Sequence, residues 1–209
     1  MSQALEQELK QGLDRLNLTA DDGQSAALIS YLQLLKKWNR HFNLFAVDDL
    51  SAMVSRHLLD SLSLNAYLHG SRIIDVGTGA GLPGIPLAIM NPTRDFVLID
   101  SNGKKTRFLF QVKIALQLEN ISIENTRIEH YQNQQQIDMV ICRAFSSLED
   151  MVSKSQQLFG KETKLLAMKG RYPQQELQSL PAGFEVNRVI KLDIPESEYQ
   201  RHLVEVIRE

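Results

Sequence analysis

A glycine-rich segment is the part of the sequence whose residue types most clearly indicate chemistry. It reads Asp75-Val-Gly-Thr-Gly-Ala-Gly-Leu-Pro-Gly84 and begins within an apolar run at 73–76 that is typical of a buried strand. Glycine allows a tight turn and a close approach of the backbone to a ligand. Asp100 ends the next predicted strand, 23 residues after Gly77, where an acid typically binds ribose hydroxyls. The segment therefore predicts a site for an adenosine-containing cofactor.

Two cofactors fit this segment. Gly79, Gly81 and Gly84 satisfy the G-x-G-x-x-G pattern of dinucleotide-binding proteins, so NAD is an alternative. S-adenosylmethionine (AdoMet) is favoured for two reasons. The glycine repeat begins at Gly77 directly after an acid, Asp75, whose carboxylate is expected to reach the cofactor's amino group, directly or through water. The predicted sheet also ends in an antiparallel hairpin, which is typical of AdoMet-dependent methyltransferases.

The elements that must position these residues follow from the pattern of apolar residues, which changes near Gly70. Before Gly70 the spacing is helical, with a stripe at Leu28, Leu32, Leu35, Trp38, Phe42 and Phe45 and a second helical stretch over 53–62. After Gly70, strands are predicted at 73–76, 96–99, 121–124, 137–142, 164–168, 184–192 and 199–207, and helices at 83–90, 104–118 and 148–158.

This alternation predicts an α/β fold of the Rossmann-like AdoMet-dependent methyltransferase type. Strands separated by helices form a mostly parallel sheet. No helix fits between the last two strands, so they are expected to pair as an antiparallel hairpin. We expect residues 1–69 to form an N-terminal helical cap on a core of residues 70–209, in one compact unit.

Composition excludes several classes of protein. The chain has 209 residues, a net charge of −2 and one cysteine, Cys142. No internal disulfide is possible, and a nucleic-acid binder that works by overall charge alone is usually basic. The N-terminus is polar and no apolar run is long enough to span a membrane, so we expect a cytoplasmic protein. The five histidines form no close-spaced ligand set with cysteine, so no metal is expected.

A closer resemblance rests on short segments that occur in order along nearly the whole chain. They are Lys37-Trp38-Asn39 with Asn43-Leu44, Arg56-His57-Leu-Leu-Asp60-Ser61, the glycine segment through Pro86, Asp100-Ser101, Lys104-Lys105 with Phe108-Leu109, Arg143-Ala144-Phe145, Lys169-Gly170 and Arg201-His202-Leu203. With these segments the chain resembles the family of small-subunit ribosomal RNA methyltransferase G, also called glucose-inhibited division protein B.

The resemblance implies transfer of a methyl group from AdoMet to N7 of a guanine in 16S ribosomal RNA, near the decoding centre. It places cofactor contacts at Gly77, Leu82, Ile128, Glu129 and Arg143. Members of the family often have serine where this chain has Cys142, so the cysteine is expected to be a small buried strand residue without an essential role.

Methylation at N7 needs positioning more than acid–base chemistry, because guanine N7 carries no proton. The candidate positioning residues are Arg143, His57 and Asp60. Arg143 ends a predicted strand, where it either holds an anion or forms a structural ion pair. His57 and Asp60 share a helix face and either line the base pocket or fix the cap to the core. Phe145 either stacks on the base or packs in the core.

The predicted partner is 16S rRNA within a 30S particle or its precursor. Candidate RNA contacts are Lys104, Lys105, Lys169 and Arg171, because these follow the carboxyl ends of predicted strands. For any one of these clusters, and for Lys36, Lys37 and Arg40, a solvated face is the simpler interpretation. The alternatives are a methyltransferase with a small-molecule or protein acceptor, an NAD-dependent oxidoreductase, and a binding module with a vestigial site.

Overall fold

The part of the chain described by the computed structural model comprises residues 2–42, 49–133, 135–144, 147–197 and 199–209. Phe45, the Asn43-Leu44 segment and Phe145 lie outside these residues, and so do the side chains of Arg40 and Phe42. The predicted roles of these residues stay predictions.

The centre of the described structure is one twisted sheet of seven strands. The strand order is β3-β2-β1-β4-β5-β7-β6, in which the first five strands pair in parallel and β7 is antiparallel to both of its neighbours. This confirms the predicted parallel sheet with a closing antiparallel hairpin. The strands are β1 (Arg72–Val76), β2 (Asp95–Ile99), β3 (Ile121–Glu124), β4 (Met139–Arg143), β5 (Lys164–Lys169), β6 (Phe184–Leu192) and β7 (Arg201–Arg208).

Helices cover both faces of the sheet. They are α1 (Ser2–Arg15), α2 (Asp22–Phe42), α3 (Leu50–Met53), α4 (Asp60–Leu62), α5 (Gly84–Met90), α6 (Gly103–Leu116) and α7 (Leu148–Ser155). A π-helical segment, Val54–Leu59, joins α3 to α4 and carries Arg56 and His57. Short 3₁₀ turns lie at Asn65–Tyr67, Ile128–His130, Gln156–Leu158 and Glu176–Gln178.

The cap shares its hydrophobic core with one face of the sheet. Three residues of the predicted stripe of α2, Leu28, Leu32 and Leu35, are buried, and the half-buried ring of Trp38 packs with its centre 5.4 Å from that of Phe108 in α6. The Tyr31 hydroxyl donates to the backbone carbonyl of Ala80 in the glycine segment at 2.8 Å. Helix α2 of the cap therefore contacts the glycine segment directly.

The opposite face of the sheet has its own apolar cluster, built with α7 and the turn Ile128–His130. Cys142 lies there, 2% exposed, and burial raises the pKa of its thiol to about 12. Such a thiol is protonated and unreactive at neutral pH, in agreement with its interpretation as a buried strand residue.

Differences from the sequence prediction are small and fall at element ends. The strand predicted at 137–142 runs from Met139 to Arg143, and the one predicted at 199–207 runs from Arg201 to Arg208. The separate helix α1 is not predicted, because only Leu5, Leu9 and Leu13 bury a stripe within an otherwise polar segment. In the described ranges, no helix is long and apolar enough to cross a membrane.

Candidate active site

A cavity of about 370 Å³ opens at the carboxyl edge of the sheet, above β1 and β2. Its size is that of a small-molecule site. Of the residues predicted to bind the cofactor, four line this cavity: Gly77, Asp100, Ile128 and Glu129. The remaining lining residues are Val76, Ile99, Ser101, Lys105, Thr126, Arg127, Ala144 and Lys154.

The carboxylate of Asp100 is held at the rim of this cavity by backbone N–H groups of neighbouring residues. Oδ2 accepts a hydrogen bond from Gly79 N at 2.9 Å, and Oδ1 accepts one from Asn102 N at 2.8 Å. Asn102 in turn caps the first turn of α6. Since an ionised carboxylate has about four acceptor positions, Asp100 retains capacity for a ligand hydroxyl.

Gly79 and Gly84 are each required by the structure, but for different reasons. Gly79 adopts a φ of +62°, and a Cβ there would have no atom nearer than 3.9 Å, so the left-handed backbone requires glycine and the space stays open. At Gly84 a Cβ would lie 2.7 Å from Oδ2 of Asp75 and also collide with Leu98. Gly84 is therefore required by packing within the protein, and a close approach to a ligand does not explain it.

Asp75 is completely buried beneath the glycine segment. Its Oδ2 accepts hydrogen bonds from Thr78 Oγ1 at 2.7 Å and Gly84 N at 2.8 Å, while Oδ1 has no partner among the described residues. Burial raises the pKa of Asp75 to about 6, although the two hydrogen bonds act in the opposite direction. Asp75 thus fixes the shape of the segment, and its predicted contact with the cofactor's amino group stays a prediction.

Leu82 and Arg143 do not line the cavity within the described part of the chain. Leu82 is 6% exposed, and its backbone N–H donates to Thr78 O at 3.0 Å. Arg143 ends β4 one residue before Ala144, which does line the cavity. Direct contacts of these two residues with a cofactor stay predictions.

Arg143 takes part in a buried ionic cluster with Asp60 and Arg201. Arg143 Nη1 lies 2.8 Å from Oδ2 of Asp60, and Arg201 Nε lies 2.6 Å from Oδ1 of the same carboxylate. Asp60 is 3% exposed and accepts from both guanidinium groups, so it joins the cap to β4 and β7. Of the two alternatives for Arg143, the structure shows the ion pair.

His57 lies beside this cluster and is 8% exposed. Burial lowers the pKa of its imidazole to about 4, and the positive charge of Arg143 acts in the same direction. The ring is therefore neutral at pH 7. A neutral, enclosed imidazole is suited to shaping a pocket and is not suited to act as a cationic contact for RNA.

The predicted RNA contacts differ in how accessible they are. Lys104 and Arg171 are exposed, and Lys105 lies at the rim of the cavity with Nζ 3.5 Å from Oδ2 of Asp100. Lys169 is 11% exposed and its Nζ lies 2.7 Å from Oε2 of Glu176. Lys169 is therefore paired within the protein and less accessible to an RNA phosphate than Lys104 or Arg171.

Three features of this region are missed by reasoning from the sequence: Arg201 as the second partner of Asp60, the packing of Arg56 on Tyr199, and Lys154 at the cavity. Arg201 is separated from Asp60 by 141 residues, so no local spacing connects them. The only signal was that Arg56 and Arg201 belong to segments of the family resemblance. The described residues contain no group of three or more His, Cys, Asp or Glu side chains placed to hold a metal ion.

Solved structures with the same fold include methyltransferases. A SAM-dependent methyltransferase from Aquifex aeolicus aligns with 77% of this chain and 94% of its own, at a TM-score of 0.58 and 18% identity. A protein of the NADB-Rossmann superfamily from Streptococcus agalactiae aligns with 71% of this chain and 67% of its own, at a TM-score of 0.60 and 15% identity. At these identities the likeness shows the fold alone.

Other proteins are far more similar to this chain in sequence, and over nearly its whole length. Proteins described as ribosomal RNA small subunit methyltransferase G are 51% identical over 198 residues in Nitrosococcus oceani (95% of this chain and 92% of the relative) and 48% identical over 206 residues in Stutzerimonas stutzeri (98% and 96%). The family model described as rRNA small subunit methyltransferase G matches residues 24–204. The cavity, the glycine segment and this match together show that the chain belongs to the rRNA small subunit methyltransferase G family.

Proposed function

We propose that this protein transfers a methyl group from AdoMet to N7 of a guanine in 16S rRNA, near the decoding centre of the small ribosomal subunit. The observation that carries the proposal is the family match over 24–204, which includes every residue that lines the cavity. The choice of N7 and of the decoding centre rests on the family resemblance.

The volume of the cavity and the chemistry of its lining residues support AdoMet as the cofactor. Val76, Ile99 and Ile128 offer apolar surface for an adenine ring, and Asp100 offers acceptors for the ribose hydroxyls. Gly77 lines the cavity without a side chain, and Gly79, which is not a lining residue, donates through its backbone N–H to Asp100. When bound, AdoMet supplies a methyl group activated by a positively charged sulfur. Cofactor contacts of Asp75, Leu82, Glu129 and Arg143 belong to the same proposal.

The protein's own task is to position the acceptor. Guanine N7 is unprotonated and attacks the methyl group without a general base. This agrees with a site in which His57, beside Arg143, has a pKa of about 4 and the cysteine of β4 is a buried thiol. Arg143, His57 and Asp60 are the proposed positioning residues, since they meet at the carboxyl end of β4 beside Ala144 of the cavity.

The acceptor is proposed to be RNA folded within a 30S particle or its precursor. Lys104, Lys105 and Arg171 present positive charge near the carboxyl edge of the sheet, whereas the whole chain carries a net charge of −2. Local contacts to phosphates then suit a substrate whose shape is already set by other ribosomal components. A ribosomal substrate places the reaction in the cytoplasm.

The decisive experiment uses purified protein, tritiated AdoMet and 30S particles from a strain that lacks this activity. We expect label on a single guanine of 16S rRNA, with strand cleavage there after reduction and aniline treatment, which reports methylation at N7. Asp100→Asn serves as the control that weakens cofactor binding, and it should lower the label at an AdoMet concentration below saturation. Label in protein or in a small molecule, with none in RNA, would refute the RNA acceptor and leave the AdoMet site standing.

A further inference from the structure

We infer that Arg56 and Tyr199 form a contact for an unpaired RNA base close to the methylated guanine. This inference rests on the proposed function and extends it to two residues outside the cofactor cavity. Tyr199 lies in the connection between β6 and β7, and Arg56 lies in the π-helical segment of the cap.

The two side chains form a preorganised pair on the surface. Arg56 Nη2 donates to the Tyr199 hydroxyl at 2.7 Å, and the guanidinium carbon lies 4.9 Å from the centre of the ring. Tyr199 is nonetheless 53% exposed, and Arg56 is exposed as well. An exposed aromatic ring beside a guanidinium is an arrangement with which proteins stack unpaired bases and bind the adjoining phosphate.

The pair is continuous with the site of methyl transfer. Arg143 Nη1 donates to the backbone carbonyl of Arg56 at 3.4 Å, and the next residue, Ala144, lines the cofactor cavity. Arg201, two residues after Tyr199, shares the carboxylate of Asp60 with Arg143. These contacts connect the pair to the cavity side of β4, so a nucleotide next to the acceptor guanine is the expected partner of Tyr199.

The local charge favours an anionic partner. Arg143 and Arg201 share one buried carboxylate, that of Asp60, and the exposed guanidinium of Arg56 lies on Tyr199 beside them, so these four described residues carry three positive charges against one negative charge. Glu196, the nearest described acid on the same connection, is ion-paired with Arg15. In a chain with a net charge of −2, such a concentration of arginine is suited to RNA phosphates.

Anchoring of the β6–β7 connection does not require the pair. Ser55 Oγ donates to Pro195 O at 2.7 Å in a buried contact, and Arg201 binds Asp60 on the other side of the connection. These contacts already fix the connection to the cap on both sides of Tyr199. A purely structural role would therefore leave substrate binding unchanged when the tyrosine ring is removed.

The test measures equilibrium binding of the full-length protein to 30S particles that lack the modification, in the presence of S-adenosylhomocysteine. We expect Tyr199→Ala to weaken binding by about tenfold and Tyr199→Phe, which retains the ring, to change it by less than about twofold. Phe110→Ala removes a solvent-facing aromatic ring on α6, 46% exposed, and is the matched control with no expected effect. Ultraviolet cross-linking of the complex should attach a nucleotide to the Tyr199 peptide.

Several results would overturn the inference. Equal binding by Tyr199→Ala and the wild type would do so, and so would a loss as large for Tyr199→Phe as for Tyr199→Ala, because the hydroxyl and not the ring would then matter. A cross-link from Tyr199 to a ribosomal protein would replace the RNA base with a protein partner.

The same particles separate this inference from the proposed function. Tyr199-dependent binding without label in 16S rRNA would refute the methylation and support the surface. A labelled guanine together with equal binding by the wild type and Tyr199→Ala would support the methylation and refute the role of Tyr199. If the wild type neither bound nor methylated the particles, both proposals would be wrong.

Discussion

The buried carboxylate of Asp60 gives the most direct test of how the cap is joined to the sheet. It accepts hydrogen bonds from Arg143 at 2.8 Å and Arg201 at 2.6 Å. Asp60→Asn keeps the size of the side chain but removes its charge, and one of its two oxygens becomes an amide donor. Two guanidinium groups then share a site without a counter-ion, so we expect the folded state to lose stability.

The size of the effect follows from burial. Removing one partner of a buried ion pair costs about 3–5 kcal/mol. Arg143 and Arg201 are 20% and 28% exposed, so water solvates part of each positive charge, and we expect the lower end of that range, about 3 kcal/mol. In a chain of this length each kcal/mol lowers the melting temperature by about 2–4 °C, which predicts a decrease of roughly 6–12 °C.

Urea and thermal unfolding followed by circular dichroism measure this loss. Asp14→Asn on the exposed face of α1 is the matched control and should change the free energy of unfolding by less than about 0.5 kcal/mol. A double-mutant cycle with Arg201→Met should show coupling, since the two residues are in contact. If Asp60→Asn matched the wild type within error, or if its effect simply added to that of Arg201→Met, the cluster would not join the cap to the sheet.

Three further predictions concern the glycine segment and the groups beneath it. Asp100→Asn should weaken AdoMet binding about 10- to 100-fold in calorimetry, because it removes a charged acceptor worth about 1.5–3 kcal/mol; unchanged affinity would place the ribose elsewhere. Gly84→Ala should cost about 1–3 kcal/mol in urea unfolding, because its Cβ would lie 2.7 Å from Oδ2 of Asp75; a neutral result would mean that the segment shifts freely. The free energy of unfolding, measured as a function of pH, should show opposite contributions from Asp75 and His57. The native pKa of Asp75 is raised to about 6, so its ionisation destabilises the fold as pH rises from about 5 to about 7.5, by about 1 kcal/mol relative to Asp75→Asn. The native pKa of His57 is lowered to about 4, so the wild type should lose about 2 kcal/mol relative to His57→Asn as pH falls over the same range; parallel stability curves would contradict either shift.

Most of the fold was predictable because buried parallel strands have a recognisable sequence pattern. Strands covered on both faces, such as β1 and β2, read as short apolar runs, and the glycine segment marks the turn between β1 and α5. The short connection between β6 and β7 leaves no room for a helix, which made the antiparallel hairpin predictable as well. The helix α1 escaped prediction because only one narrow stripe of a polar segment is buried.

Several residues that line the cofactor cavity could also be predicted from the sequence. Gly77 and Asp100 lie at the ends of adjacent strands, so parallel pairing of β1 with β2 brings them to one edge of the sheet. Ile128 and Glu129 were assigned through the family resemblance, and their place after β3, which is parallel to β2, puts them at the same edge. The structure brings all four residues to one cavity.

Thus the sequence by itself determined the order of strands and helices, the glycine turn and its acidic partner, since all of these depend on spacing along neighbouring elements. Only the tertiary structure decided that Asp60 holds Arg143 and Arg201, that Asp75 supports the turn from below, and that Arg56 packs on Tyr199. The physical reason is sequence distance in the cap contacts: Asp60 and Arg201 are 141 residues apart, and Arg56 and Tyr199 are 143 apart. Such pairs meet only when the cap and the β6–β7 connection pack on the same edge of the sheet. For Asp75 the distance is short, but burial beneath the turn, which spacing does not reveal, determines which atoms it binds.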